Sequence, residues 1–114
     1  MYNIDMEFVK GIFVVRLSGN FNKRACTILE EDLNQLITTN GIKFLLINLN
    51  DISSIDNKAV EIIFENYIRL LKKNGKLIIC GINKLFENNQ IITKNLLQVT
   101  KEQDVFDYVQ VWQT

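Results

Sequence analysis

Between Asp5 and Gly19 the chain reads DMEFVKGIFVVRLSG. Met6 and Phe8 alternate with polar neighbours, and Phe13, Val15 and Leu17 alternate again beyond Lys10-Gly11. A period of two on either side of a Gly-containing pair predicts two strands joined by a tight turn. The period then changes. Cys26, Leu29, Leu33, Leu36 and Ile37 recur at three- and four-residue spacing, which puts one apolar stripe on a helix. Asn22 is its predicted N-cap and Asn40-Gly41 its stop, since both residue types tolerate the left-handed backbone that ends helices.

KFLLINL follows, apolar almost without a break from Phe44 to Leu49, as a strand covered on both faces requires. From Asn57 to Lys73 the residues Val60, Ile63, Phe64, Tyr67, Ile68 and Leu71 predict the apolar face of a second helix. Glu61, Glu65, Arg69 and Lys72 lie on its other side, with Glu65 and Arg69 in favourable i,i+4 order. Asn74-Gly75 closes this helix, and KLIIC, ending at Gly81, is a further buried strand. Strand, helix and strand in this order predict parallel neighbours joined by a right-handed crossover. NKLFENNQI reads as a short helix or turn, LLQV as a short edge strand, and Thr100 to Val111 as a closing helix. Thr100 and Gln103 have capping-box spacing, and Val105, Phe106, Val109 and Trp112 would dock that helix on the sheet. Trp112 is either a lid on the core or an interface residue. The sum is an α/β chain with a mixed sheet of four to five strands and helices packed on it, one domain over residues 1–114.

Charge changes the picture by exclusion. Thirteen lysines and arginines balance thirteen aspartates and glutamates, so the electrostatic footprint of a general nucleic-acid binder is missing. The N-terminus lacks a basic segment followed by an apolar stretch, and no apolar run approaches the roughly 20 residues of a membrane-spanning helix. A cytoplasmic location without direct membrane insertion is expected. The two cysteines, Cys26 and Cys80, have neither CxxC spacing nor histidine company, and read as reduced structural thiols.

Catalytic chemistry is poorly supplied. The chain contains no histidine, which excludes a Ser-His-Asp triad, an HExxH zinc site and a Cys-His dyad. The five glycines are isolated, and none sits in a phosphate-binding frame. Asp51 and Asp56 flank one short segment without a third ligand nearby, and carboxylates beside serines mostly serve turns and caps. No enzyme, metal or cofactor is expected.

The stretch LLINLNDISSIDNKAVEIIFENYIRLLKKNGKLIICGIN resembles the STAS domain of anti-sigma factor antagonists and related bacterial regulators. That family joins a buried strand to a helix through a short loop ending in Asp-Ser-Ser/Thr-Gly, followed by a Gly-containing turn and another strand. VRLSGNFN is similar to its second strand, with Leu-x-Gly and a small polar turn. The resemblance implies a STAS-type fold and a protein-binding role. In the family, the serine or threonine before the glycine is phosphorylated by a partner kinase. Matched by position, Asp56 takes the aspartate, Asn57 the first serine, Lys58 the phosphorylated position and Ala59 the glycine.

Lysine has no hydroxyl to phosphorylate, and it opposes the positive field of a helix start, where a phosphate would be favoured. Two readings follow. Lys58 either meets an acidic partner or is a solvated residue without a role. Ser53 and Ser54 are substitute hydroxyls, although such serines mostly make local hydrogen bonds. Ala59 and Ile62 either form an apolar patch beside the loop or pack on the sheet. The resemblance implies docking of an anti-sigma factor/serine kinase of GHKL type, or another protein subunit, through residues 53–62. A STAS subunit of a lipid-transport ATP-binding cassette complex and a small-ligand sensor are the alternatives.

Overall fold

The computed structural model describes residues 1–86 and 89–112; the side chains of residues 93 and 108–112 lie outside that description. Two strands, β1 (Tyr2–Val9) and β2 (Ile12–Phe21), form the opening hairpin. Helix α1 (Lys23–Asn34) continues as a wider turn over Gln35–Thr39. Then come β3 (Phe44–Ile55), α2 (Asn57–Lys72), β4 (Lys76–Cys80), β5 (Leu97–Val99) and α3 (Glu102–Trp112). One turn of 3-10 helix at Lys84–Phe86 and a wide turn at Ile91–Asn95 lie between β4 and β5.

The five strands form one sheet in sequence order. β1 is antiparallel to β2, and β2, β3, β4 and β5 are mutually parallel neighbours. The hairpin turn is Lys10-Gly11, both at positive φ (52° and 86°). That geometry matches the strands' own twist and favours glycine at its second position. Gly19 also has positive φ (84°), and a Cβ there would lie 2.2 Å from the Met1 carbonyl oxygen. The Leu-x-Gly element therefore needs its glycine twice, for the turn of the backbone and for the close approach of the first residue.

Each sheet face has its own core. On one, Val15, Leu17, Leu45, Ile47, Leu49 and Ile79 meet Leu29 and Leu33 of α1 and Val60 and Ile63 of α2. On the other, Ile12, Val14, Leu46, Ile78 and Cys80 meet Val105 of α3. β2 is thus buried on both faces, where the alternation of Phe13, Val15 and Leu17 pointed to one. Phe13 is only half-buried, and Phe8, read as inward, is 63% exposed. Both sit at the hairpin end of the sheet, and β1 forms the sheet's outer edge. Cys26 and Cys80 are free, buried and on opposite faces.

The helix predictions hold with shifts. Asn22 caps α1, its side chain accepting from the Ala25 amide at 3.0 Å. On α2 the buried face is Ala59, Val60, Ile62, Ile63, Asn66 and Leu70. It is turned from the predicted stripe, leaving Leu71 exposed and Phe64, Tyr67 and Ile68 half-buried. Arg69 donates to Asn66, Asn34 and Thr38, linking α2 to α1 rather than pairing with Glu65. The cap of α3 lies one residue later than the predicted Thr100–Gln103 box: the Asp104 carboxylate accepts from the Lys101 amide at 3.1 Å. Val105 is buried as expected and Phe106 half-buried, while Val109 and Trp112 fall outside the described side chains.

An ion-pair network fastens α3. Arg16 of β2 donates through Nε and Nη2 to both Glu102 oxygens, at 2.8 and 2.9 Å, and Asn48 of β3 donates to Glu102 at 2.6 Å. Arg16 also reaches Asp5 and Glu7 of β1 at 3.1 and 2.9 Å. The hydrogen bond from Arg16 holds the Glu102 carboxyl below the usual carboxylate range, and the Glu102 carboxylate in turn holds the Arg16 guanidinium protonated. A carboxyl lowered on folding stabilises the native state above its unfolded pKa and loses that contribution as pH falls through the folded value. Glu102→Gln should therefore lower stability at neutral pH by about 1 kcal/mol, allowing for partial solvent screening. It should also flatten the acid limb below the ordinary carboxylate range. Urea unfolding between neutral pH and pH ~3 checks both.

Candidate functional site

The parallel strands end on one rim, and α1 and α2 start there side by side. β2 and β3 pair in parallel up to Phe21 opposite Ile55, with register shifts between Arg16 and Ser18 and between Gly19 and Asn20, and the Asp56 amide donates to the Phe21 carbonyl at 2.8 Å. Asn22 and Asp56, the next residues of each strand, are the N-caps of α1 and α2. The predicted loop after Leu49 is thus mostly strand. β3 runs on to Ile55, and only Asp56 separates it from α2.

That single-residue corner is fully hydrogen-bonded. Asp56 is extended (φ −79°, ψ 145°), and its carboxylate accepts from the Lys58 amide at 2.8 Å. Its carbonyl accepts from the Ala59 amide at 3.0 Å. Ser54, on β3, donates its hydroxyl to the Asn20 side chain of β2 at 2.5 Å, and Ser53 is an exposed strand residue beside it. Asn57 and Lys58 are exposed, and the Lys58 side chain is 52% exposed with its ammonium 3.9 Å from Glu61. At that length the pair is loose.

Ala59 and Ile62, in contrast, are at 0% and 1% exposure and belong to the core against the sheet. The first turn of α2 must seat small and branched side chains inward to follow so tight a corner. These two residues therefore present no apolar patch, and of the sequence-predicted group only Asp56, Asn57, Lys58, Ser53 and Ser54 reach the surface. Asp51, on β3, accepts from Asn50. No group of three or more cysteine, aspartate or glutamate side chains is placed to hold a metal ion among the described residues.

Three further residues shape the corner. Asn20 holds Ser54, and Glu61 offsets Lys58 one helical turn on. Cys26 of α1 lies within reach of both charges: burial pushes its thiol up, Asp56 adds to that, and Lys58 opposes it. Glu61 was visible in the sequence as an i,i+3 neighbour; Asn20 and Cys26 arrive only through the pairing of β2 with β3.

The rim carries more basic than acidic side chains, with Asp56 and Glu61 set against three cations. Neither α1 nor α2 has an acidic residue in its first turn. Exposed Lys23 and Arg24 open α1 and Lys58 opens α2, adding to the positive poles of two adjacent helices.

The sequence profile of the STAS domain family matches residues 3–109. The chain belongs to the STAS domain family. Over 80 residues, 70% of this chain and 68% of the relative, it is 22% identical to the anti-sigma F factor antagonist of Paenibacillus polymyxa. The backbone is similar to that of the anti-sigma factor antagonist SpoIIAA in its unphosphorylated form, with a TM-score of 0.81, 16% identity, and coverage of 95% of this chain and 98% of that one. An anti-sigma factor antagonist from Mycobacterium paratuberculosis gives 0.84 at 17% identity, over 96% and 95% of the two chains. At these identities the structural likenesses establish the STAS fold. None of the described helices is long and apolar enough to cross a membrane.

Asp56→Ala removes the cap and frees the Lys58 amide. A loss of about 1 kcal/mol in unfolding free energy is expected, with faster amide exchange at Lys58 and Ala59 and unchanged exchange in the centre of β3.

Proposed function

We propose that this STAS domain is a regulatory protein-binding module of the anti-sigma factor antagonist type. It docks an anti-sigma factor/serine kinase of GHKL type through the rim formed by the β3–α2 corner, and does no catalysis. The observation that carries this reading is the corner itself: Asp56 caps α2 and leaves Lys58 half-exposed on its first turn, in a chain that matches the family along most of its length. The antagonist relatives support the class of partner.

A hydroxyl at this point would receive a phosphate stabilised by the helix start. Lys58 replaces that switch with a permanent cation. The exposed Lys23 and Arg24 at the neighbouring helix start extend the cationic surface, so the partner's matching surface is acidic. Binding is then constitutive at this position, with control left to expression, competition or another site. The field of the helix start disfavours an exposed lysine by only a few tenths of a kcal/mol, which one contact with an acidic side chain offsets.

The test uses the purified chain and the anti-sigma factors and serine kinases of its own organism, with affinities measured by surface plasmon resonance. Lys58→Glu should weaken binding by about tenfold or more through charge reversal, and Lys58→Ser by only a few-fold. Equal affinity for all three returns Lys58 to a solvated helix-start residue. Incubation with the kinase and ATP should leave the chain unphosphorylated, and a stoichiometric phosphate on Ser53 or Ser54 by mass spectrometry would refute constitutive binding.

A further inference from the structure

β1 is an eight-residue strand that pairs with β2 alone among the described strands. Natural sheets blunt such edges with proline, lysine, bulges or short length, because an open edge is a template for another strand. β1 lacks these four, and its only charges, Asp5 and Glu7, lie on the face opposite its apolar stripe. No proline or lysine occurs from Tyr2 to Val9, and its register with β2 is unbroken over all eight pairs.

The hairpin fixes which backbone groups face outward. Across a two-residue turn the flanking pair, Val9 and Ile12, is the hydrogen-bonded one, and pairs alternate from there. Glu7, Asp5 and Asn3 then direct their amides and carbonyls to β2, while those of Phe8, Met6, Ile4 and Tyr2 point to the open edge. The same four residues place their side chains on the helix-bearing face. Tyr2, Ile4 and Met6 are half-buried against the main core, and Phe8 is largely exposed beside Phe13. The outward hydrogen-bonding groups and an apolar stripe therefore coincide.

The opposite face of β1 is acidic. Asp5 and Glu7 are more than half exposed and share the single guanidinium of Arg16 with Glu102. Three carboxylates on one cation leave uncompensated negative charge along the edge. A second copy of the chain is a poor occupant: antiparallel pairing of β1 with its own twin about Met6 would set Asp5 against Glu7 twice, and like charges directly opposite destabilise a sheet.

We propose that the outer edge of β1 accepts an extended segment of a partner protein as a sixth strand, a segment alternating apolar and basic residues. Its backbone pairs with Tyr2, Ile4, Met6 and Phe8. Its apolar side chains continue the stripe on the helix-bearing face, and its basic ones meet Asp5 and Glu7. This surface is separate from the β3–α2 corner and stands whether or not that corner docks a kinase.

The probe is an eight-residue peptide alternating valine and lysine, titrated to millimolar concentration into the isotope-labelled chain. Its controls are a scrambled peptide of the same composition and one alternating valine and glutamate. Saturable shifts and slowed exchange at the amides of Tyr2, Ile4, Met6 and Phe8 are expected with the alternating lysine peptide alone. Met6→Pro, which removes one outward N–H and no bond to β2, should abolish them. Asp5→Asn with Glu7→Gln should weaken binding about tenfold while leaving the helix-side amides unchanged. Equal binding of the glutamate peptide, binding mapped away from β1, or a dimer that protects β1 without peptide would each overturn the proposal.

Discussion

Parallel pairing of β3 on both sides is the constraint from which the other features follow. β2 and β4 each hydrogen-bond to it in register over Leu45–Asn48, and its side chains Leu45, Leu46, Ile47 and Leu49 are fully buried. A strand held on two edges and covered on two faces has no freedom to slip, since a one-residue slip would exchange its two apolar sets. Its far end is pinned as well, by the bond from the Asp56 amide to Phe21. The corner that opens α2 is therefore rigid because the strand leading into it is rigid. The adjacent start of α1 is fixed by the same pairing.

The second face depends on charge as well as apolar contact. Ile12, Val14, Leu46, Ile78 and Cys80 would meet water without α3. That helix buries Val105 against them, while Glu102 binds Arg16 and Asn48. A partly buried ion pair is worth little if its remaining valences go unmet. Here Asn48 and the β1 carboxylates satisfy them, and no buried side-chain polar atom lacks a partner among the described residues. Burial pushes the Cys80 thiol up to about 12, and Glu102 adds to the shift. That thiol is a packing group rather than a nucleophile.

At the rim, the helix poles and the basic side chains share one sign, so they repel. Two helix starts present positive poles, and Lys23, Arg24 and Lys58 add charge of the same sign, which only the Asp56 cap and Glu61 oppose. Stability alone would favour an acid or a hydroxyl at position 58. The small cost of a lysine there is one that the proposed contact with an acidic partner would offset, and a lysine offers no hydroxyl for phosphorylation.

The sequence by itself determined the element order, the parallel strand–helix–strand unit, the caps at Asn22 and Asp56 and the STAS resemblance. These are local properties: period, capping chemistry and turn residues act over a few positions and leave their mark in neighbouring letters. Only the tertiary structure decided that Ala59 and Ile62 belong to the core, that Phe8 lies at an edge, and that Ser53 and Ser54 are strand residues. It alone brought Arg16 to Glu102, 86 positions along the chain, and gathered Lys23, Arg24 and Lys58 on one rim of a chain with zero net charge. Such partners are chosen by which strands pair and which faces the helices cover. Side chains far apart in sequence then share one low-dielectric interface that no local pattern encodes.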